Sequence, residues 1–140
     1  MTSVFRDWNN PLGHAAGLLS LACAALYCDD VAEARSSLRE SIRICAELRY
    51  GTLSAACLRA CAAILARTNE PRDAACFLGA SQKLLEEMRS PLEVTEQRMH
   101  EETQALIRAA LDDEEIAAAW DAGRVLSVDE ALSRALSYLD

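Results

Sequence analysis

The chain has 140 residues, of which 51% are hydrophobic, and it contains only five glycines and three prolines. This composition fits one domain with a buried core and argues against extended disorder. The formal net charge of −8 argues against nucleic-acid binding by this chain alone, because attraction to phosphate dominates such affinity. Ten acidic and ten basic residues balance through Leu92, so the excess negative charge lies in the last third.

Apolar periodicity and helix-end signals predict seven helices and no strand. An arm of residues 1–11 is expected to precede a single helical-repeat domain of residues 12–140. Within that domain we expect two helical hairpins, over residues 12–50 and 52–89, followed by C-terminal helices over residues 95–139. The predicted fold class is therefore all-α.

Residues that favour helix ends separate these elements. Asp29 or Asp30 can cap the second helix, and Pro71 suits the first turn of the fourth helix, where a missing N–H costs nothing. Gly51 and Gly123 are predicted to be C-caps, the residues that follow a helix in a left-handed conformation. Two pairs have the spacing of a capping box, Asp112 with Glu115 and Ser127 with Glu130.

A duplication links the two predicted hairpins. The segment 17–49 recurs forty positions later as 57–89, with the same pattern of small and apolar residues. The identical residues at equivalent positions include Leu18 and Leu58, Ala22 and Ala62, Ala34 and Ala74, Leu38 and Leu78, and Ser41 and Ser81. A repeat of this length is one helix–turn–helix unit, which buries its apolar face only by stacking. We therefore expect stacked antiparallel helical hairpins in a right-handed solenoid of the tetratricopeptide kind.

Four short segments form an ordered set: AACFLGAS at 74–81, PL at 91–92, WDAGRVLSVDEA at 120–131 and AL at 135–136. In this set the chain resembles the C-terminal helical region of large ATP-binding bacterial transcription regulators. These are the LuxR-type and antibiotic-regulator-like factors and their cyclase-linked relatives. The resemblance implies a tetratricopeptide-like sensor or scaffold that receives an inducer or a partner protein and restrains a nucleotide-binding domain.

The segments that would perform nucleotide or DNA chemistry in such a regulator are not found in this chain. There is no Gly-x-x-x-x-Gly-Lys-Ser/Thr phosphate loop, and no basic recognition helix follows Leu139. We therefore expect an interaction module, either a fragment of a larger regulator or a stand-alone relative.

No arrangement of residues predicts a catalytic, cofactor-binding or metal site. Cys57 and Cys61 share a helix face, but no second pair completes a metal site, and one helical turn separates them too widely for a disulfide. His14 and His100 have no recognisable nucleophile or carboxylate partner. We expect a protein that is not an enzyme, with six reduced, structural cysteines and Cys57 and Cys61 largely buried.

Four arginines are candidate partner-binding residues. Arg35, Arg39 and Arg43 recur every four residues and form a basic stripe on the second helix. This stripe either pairs with acidic residues of the chain or faces an anionic partner. Arg59 stands among alanines on the third helix, so it is either buried and paired or points into a groove.

The first predicted helix carries no charged residue, although the terminal helix of a stack normally has a polar outer face. Its candidate dimer or repeat-interface residues are Leu12, Leu18, Leu19 and Leu26. We expect this face to be covered by a preceding repeat, by a second copy in a homodimer, or by the arm that contains Phe5 and Trp8.

Two functions remain open from the sequence. The first is a protein-interaction and sensor module of a transcriptional or signalling regulator, with a polar-rimmed groove for a peptide or protein. The second is a small-molecule-binding domain with an apolar pocket between predicted helices 1, 3 and 5. The first helix is too short and too polar to predict a membrane span. The cysteines and the lack of a signal-like start favour the cytoplasm.

Overall fold

The computed structural model describes residues 11–48, 51–89 and 94–139, and in the last range it describes side chains from residue 97 onward. Within these ranges the chain is all helical and has no strand, which confirms the predicted class and helix number. The helices are α1 Pro11–Tyr27, α2 Val31–Leu48, α3 Gly51–Arg67, α4 Pro71–Met88, α5 Val94–Ala110, α6 Asp113–Arg124 and α7 Val128–Leu139. Predictions made for Phe5, Trp8 and the segment 91–92 fall outside the described residues.

The turns that close the first two hairpins, α1–α2 and α3–α4, have the same structure. Asp29 and Asn69, forty residues apart, follow α1 and α3 in left-handed conformations, with φ of 58° and 66°. Asp and Asn tolerate this conformation better than other non-glycine residues. In each turn a backbone N–H bonds five residues back, from Asp30 to Ala25 at 2.8 Å and from Glu70 to Leu65 at 2.9 Å.

Equivalent serines also hold the two helices of each hairpin together. The Ser41 hydroxyl donates to the Ala15 carbonyl at 2.8 Å, and the Ser81 hydroxyl donates to the Ala55 carbonyl at 2.9 Å. Both serines are buried. The four duplicated alanines, Ala22, Ala34, Ala62 and Ala74, have no exposed surface. The duplicated residues therefore occupy the contact between the helices, where small side chains allow close packing.

Most helix-end predictions are confirmed, but both glycine predictions are wrong. Asp30 accepts the N–H of Glu33, and both capping boxes make their two reciprocal bonds. Gly51 instead begins α3, and Gly123 lies inside α6, where Val125 is the C-cap. No described glycine has a positive φ. Gly123 is required for close packing of two helices, not for a left-handed helix cap.

α6 packs on α4 through two glycines. A Cβ at Gly123 would lie 1.8 Å from the Cys76 carbonyl oxygen, and a Cβ at Gly79 would lie 2.2 Å from that of Trp120. The backbones therefore touch where the helices cross. Ion pairs join the starts of the two helices, through Arg72 and Glu115 at 2.6 Å, and their later turns, through Glu86 and Arg124 at 2.8 Å. The two helices consequently run in the same general direction.

α7 returns to the first hairpin instead of extending the stack. It contacts α2, α3 and α4, although α2 lies far from it in the chain. The Arg35 guanidinium, near the start of α2, donates to the carbonyl of Tyr138 at the end of α7. The Tyr138 ring meets Phe77 edge to face, with 5.9 Å between ring centroids. α7 therefore runs antiparallel to α2 and closes the helical core, while the right-handed solenoid stays a prediction.

Candidate ligand- and partner-binding sites

A small cavity of about 40 Å³ lies between α1, α3 and α5, and we call it the inter-helix cavity. α1 supplies Leu19, Cys23 and Tyr27, which succeed one another at intervals of four residues and so share a face. α3 supplies Arg59, and α5 supplies His100. The cavity thus occupies the place that the sequence predicts for an apolar pocket, with two nitrogen-bearing side chains in its wall.

Arg59 is buried within the chain, with 7% of its surface exposed. Its Nη1 group donates to the Ser81 hydroxyl at 3.4 Å. The two alternatives predicted for Arg59 therefore both apply. The residue is buried and hydrogen-bonded, and it also lines a cavity. Burial of a guanidinium among alanines is costly unless its donors are engaged, so the bond to Ser81 helps to hold it in place.

His100 faces the same cavity with a pKa that is lowered from its ordinary value. Burial is the main cause, the positive charge of Arg59 adds to it, and Glu101 opposes it. The Nδ1 atom is buried and has no hydrogen-bond partner among the described residues. A neutral imidazole beside a guanidinium can accept or donate one hydrogen bond.

The size of the inter-helix cavity restricts what it can hold. A cavity of about 10–15 Å³ holds one water molecule. At about 40 Å³, the inter-helix cavity therefore accommodates a ligand of only a few non-hydrogen atoms. At the rim, the Arg98 guanidinium lies 5.9 Å from the centre of the Tyr27 ring, within the range of a cation–π contact.

Two larger clefts flank the first turn of α7. The first, which we call the Cys45 cleft, has a volume of 340 Å³ and lies between that turn, the end of α2 and the start of α3. The second, the Lys83 cleft, has a volume of 270 Å³ and lies against α3 and α4. Both are bordered by Ser127 and Val128. A partly buried Val128 packs on Leu84 and Leu85 and so separates the two clefts.

The clefts combine apolar floors with polar rims. Leu132 lines the Cys45 cleft, and Leu58 and Leu84 line the Lys83 cleft. Charged side chains stand at their edges: Asp129 at the first, and Lys83 and Glu87 at the second. The capping box of Ser127 and Glu130 orders the turn between them, so the shape of both clefts depends on where α7 begins.

The three arginines of the predicted basic stripe have different environments. Arg35 is engaged with the end of α7, where a cation also complements the partial negative charge of a helix C-terminus. Arg39 is half-buried and Arg43 is exposed, and both interact with other groups of the chain. The stripe is therefore not a single exposed surface, and Arg35 serves to hold α7 on α2.

Three of the four candidate interface leucines are buried inside the chain, which corrects the expectation of an exposed leucine face. Leu18, Leu19 and Leu26 are 7%, 8% and 3% exposed, whereas Leu12 is 47% exposed. The physical reason is that α1 packs against both α2 and α3, so a wide sector of its surface is covered. The exposed side of α1 carries Ser20 and Ala24 together with the large side chains of Leu12, Leu21 and Tyr27. Dimerisation stays a prediction, but the buried Leu18, Leu19 and Leu26 cannot form its interface.

The structure pairs cysteines that the sequence does not bring together. The Sγ atoms of Cys45 on α2 and Cys57 on α3 lie 4.0 Å apart, and both residues are fully buried. Burial of Cys57 and Cys61 is thereby confirmed, and burial raises the pKa of Cys61 to about 12. The repeat pattern gives no signal for the Cys45–Cys57 contact, because Cys57 corresponds to Gly17 in the first hairpin.

Within the residues that the structure describes, no three His, Cys, Asp or Glu side chains are grouped so as to hold a metal ion. None of the described helices combines the length and apolar character that crossing a bilayer requires. No family model matches the chain, and no curated protein or solved structure is detectably similar to it.

Proposed function

We propose that this chain is a non-catalytic protein-interaction module of a bacterial transcriptional or signalling regulator. It binds a segment of a partner protein in the two clefts beside α7. The observation that supports this proposal is the distribution of cavity volume. The Cys45 and Lys83 clefts have volumes of 340 and 270 Å³, whereas the inter-helix cavity has only about 40 Å³. A packed interior with larger, polar-rimmed surface clefts suits a scaffold better than an enclosed ligand pocket.

The chemistry of the clefts suits a peptide with apolar anchor side chains. Each cleft can take one such side chain on its leucine floor, and Val128 between them sets the spacing of the two anchors. Lys83 and Glu87 at the rim offer both signs of charge to the peptide backbone or to its polar residues. These rim groups act mainly on specificity and on the rate of association.

The segments that carry the family resemblance support the proposed context but not the identity of the partner. Residues 74–81 and 120–131 meet at the crossing of α4 and α6, where Gly79 and Gly123 allow backbone contact. These positions therefore serve packing. Specificity for a partner then depends on residues outside the crossing, such as those that line the clefts.

The cellular setting is part of the same proposal. Six free cysteines fit a reducing cytoplasm, and the net charge of −8 fits a module that does not bind nucleic acid by itself. The same module serves either as a fragment of a larger ATP-binding regulator or as a stand-alone relative.

A peptide-display selection against the full chain tests the proposed function. Peptides with two apolar anchors should be enriched, and Glu87→Lys at the rim of the Lys83 cleft should change their rate of association by about tenfold. Glu101→Lys is the matched control, because it makes the same change of charge at an exposed position on α5 that lines neither cleft. Equal association rates for both variants, or no enriched peptide, would contradict the proposal.

The alternative is a small-molecule site in the inter-helix cavity. The position of the cavity between α1, α3 and α5, with Arg59 and His100 in its wall, favours this function for a ligand of a few heavy atoms. Amide chemical shifts on titration with acetate, formate or imidazole test it. Saturable shifts at Tyr27 and His100, which are lost in Arg59→Met, would support the alternative over the cleft proposal.

A further inference from the structure

We propose that Cys45 and Cys57 form a peroxide-sensitive thiol pair, which oxidises to a disulfide that joins the end of α2 to the start of α3. The proposal concerns a modification site, and it holds whether or not the clefts bind a protein.

The distance between the two sulfur atoms carries the proposal. The Sγ atoms are 4.0 Å apart, and a disulfide bond is about 2.05 Å long, so the sulfurs must approach by about 2 Å. Cys45 lies in the last turn of α2 and Cys57 in the second turn of α3, on either side of the connection between these helices. Closure therefore links neighbouring helix ends and does not need distant elements to rearrange.

Both thiols are fully buried, but they differ in their position relative to the Cys45 cleft. Cys45 borders the Cys45 cleft, which at 340 Å³ is ample for hydrogen peroxide. Cys57 lies behind it on the α3 side, and its Sγ is 3.4 Å from the Ser41 hydroxyl. The geometry thus places one buried thiol in the wall of the cleft and a second buried thiol behind it.

Each thiol also perturbs the pKa of the other. A hydrogen bond from Cys57 is the main cause that lowers the pKa of Cys45; burial opposes it, and Ser54 and Ser41 assist it. The bond to Cys45 and burial raise the pKa of Cys57 well above its ordinary value. The thiolate is the nucleophile in peroxide chemistry, and the position of Cys45 in the cleft wall makes it the thiol that meets peroxide first.

The reaction balances with hydrogen peroxide as the oxidant. The Cys45 thiolate attacks one peroxide oxygen and the O–O bond breaks, giving Cys45 sulfenic acid and hydroxide. The Cys57 sulfur then attacks the Cys45 sulfur and the S–O bond breaks. Hydroxide leaves and takes up the Cys57 thiol proton to form water. Two thiols have lost two electrons and two protons, and the peroxide has gained two electrons.

Disulfide formation has a consequence for α7. Leu132 and Val128 of α7 share the Cys45 cleft with Cys45 itself. Movement of the Cys45 sulfur toward α3 therefore alters the wall against which α7 packs. Oxidation at this pair is coupled through direct contact to the seating of the last helix.

Peptide mapping of the oxidised full chain tests the proposal. The reduced protein is treated with hydrogen peroxide, alkylated in denaturant and digested without reductant. We expect an intramolecular Cys45–Cys57 cross-linked peptide and a loss of about 2 Da in monomer mass, both reversed by dithiothreitol. In Cys45→Ala the cross-linked peptide should disappear and Cys57 should remain open to alkylation.

Cys61→Ala is the matched control, because Cys61 lies one turn from Cys57 on the same buried helix. It should leave the yield of the Cys45–Cys57 peptide within about twofold of wild type. The peptide map of the oxidised wild-type protein tests the proposal even if a variant does not fold. Monomer in which Cys45 and Cys57 both remain alkylatable, oxidation confined to the exposed Cys28, or a cross-link that involves another cysteine overturns the proposal.

Discussion

Ser81 connects three parts of the second hairpin. Its hydroxyl donates to the Ala55 carbonyl and accepts from the guanidinium of Arg59, which lines the inter-helix cavity. Ser41 makes the equivalent carbonyl bond in the first hairpin, where the neighbouring group is the thiol of Cys57 instead of a charge. The same serine thus has an additional role in the second hairpin, because the side chain beside it differs.

Replacement of the two serines separates these roles. Ser41→Ala should lower the free energy of unfolding by about 1 kcal/mol, the typical value of one buried hydrogen bond. Ser81→Ala should lower it by about 2 kcal/mol, because it also removes a bond to a buried charge. Urea denaturation of the two variants measures the difference. Equal losses would mean that the Arg59–Ser81 contact contributes nothing to stability.

The pKa of His100 predicts a dependence of stability on pH. The pKa is lowered in the folded chain, mainly by burial and then by Arg59, so the unfolded chain binds a proton more readily. The contribution of His100 to stability is therefore complete above the unfolded pKa of about 6.5 and is lost as pH falls toward the folded pKa. When the pH is lowered from 7.5 to about 5, the free energy of unfolding should therefore fall less in His100→Gln than in wild type.

Denaturation at several pH values checks this expectation. The difference in unfolding free energy between wild type and His100→Gln cancels the contributions of unaltered groups, including Arg59 and Glu101. A difference that does not change with pH would show that the His100 pKa is the same in the folded and unfolded chains.

At the crossing of α4 and α6, two glycines leave no room for a side chain. The contacts of Gly79 and Gly123 are with backbone atoms, which cannot move without separating the helices. Gly51 differs, because the nearest atom to an added Cβ there is the Met88 sulfur at 2.8 Å, at the flexible end of a side chain. The glycines are therefore not equivalent, although they are the same residue.

Alanine substitutions test this difference. Gly123→Ala and Gly79→Ala should each lower the free energy of unfolding by about 3 kcal/mol or more, because the helices must move apart. Gly51→Ala should change it by less than about 1 kcal/mol, since Met88 can shift and alanine favours the helix. Thermal melts followed by circular dichroism compare the three. A stable Gly123→Ala variant would show that the two backbones are not in contact.

For the molecule as a whole, α7 packs on both hairpins, which also contact each other directly through α1, α2 and α3. Leu132 on α7 is 1% exposed, whereas Leu106 on α5 is 41% exposed. Leu132→Ala should lower the free energy of unfolding by about 2–5 kcal/mol, and Leu106→Ala by less than about 1 kcal/mol. We expect urea denaturation of Leu132→Ala to remain one cooperative transition, because α7 contacts both hairpins. An early separate transition would indicate that α7 folds independently.

The buried leucines of α1 give a prediction about assembly. Leu19 belongs to the core, so Leu19→Glu should unfold the chain instead of dissolving a dimer. Leu21 is 48% exposed, so Leu21→Glu should leave the fold intact. Light scattering and circular dichroism of both variants distinguish the cases. A folded Leu19→Glu monomer derived from a wild-type dimer would restore the interface that the sequence predicts.

The sequence by itself determined the features that depend on neighbouring residues. The seven helices, the capping boxes and the burial of the duplicated alanines all follow from helical periodicity and cap chemistry. The roles of the candidate residues depended on information that is not local. The first helix is apolar on all sides, so periodicity could not show which leucines face the chain.

Only the tertiary structure decided which helices meet. It placed Arg59 beside Ser81 and His100, Cys45 beside Cys57, and α7 on α2. It also gave Gly123 a packing role in place of a cap. The physical reason is that alanine-rich helix faces are nearly interchangeable in sequence. The choice among them depends on close packing summed over the whole core, which no short segment encodes.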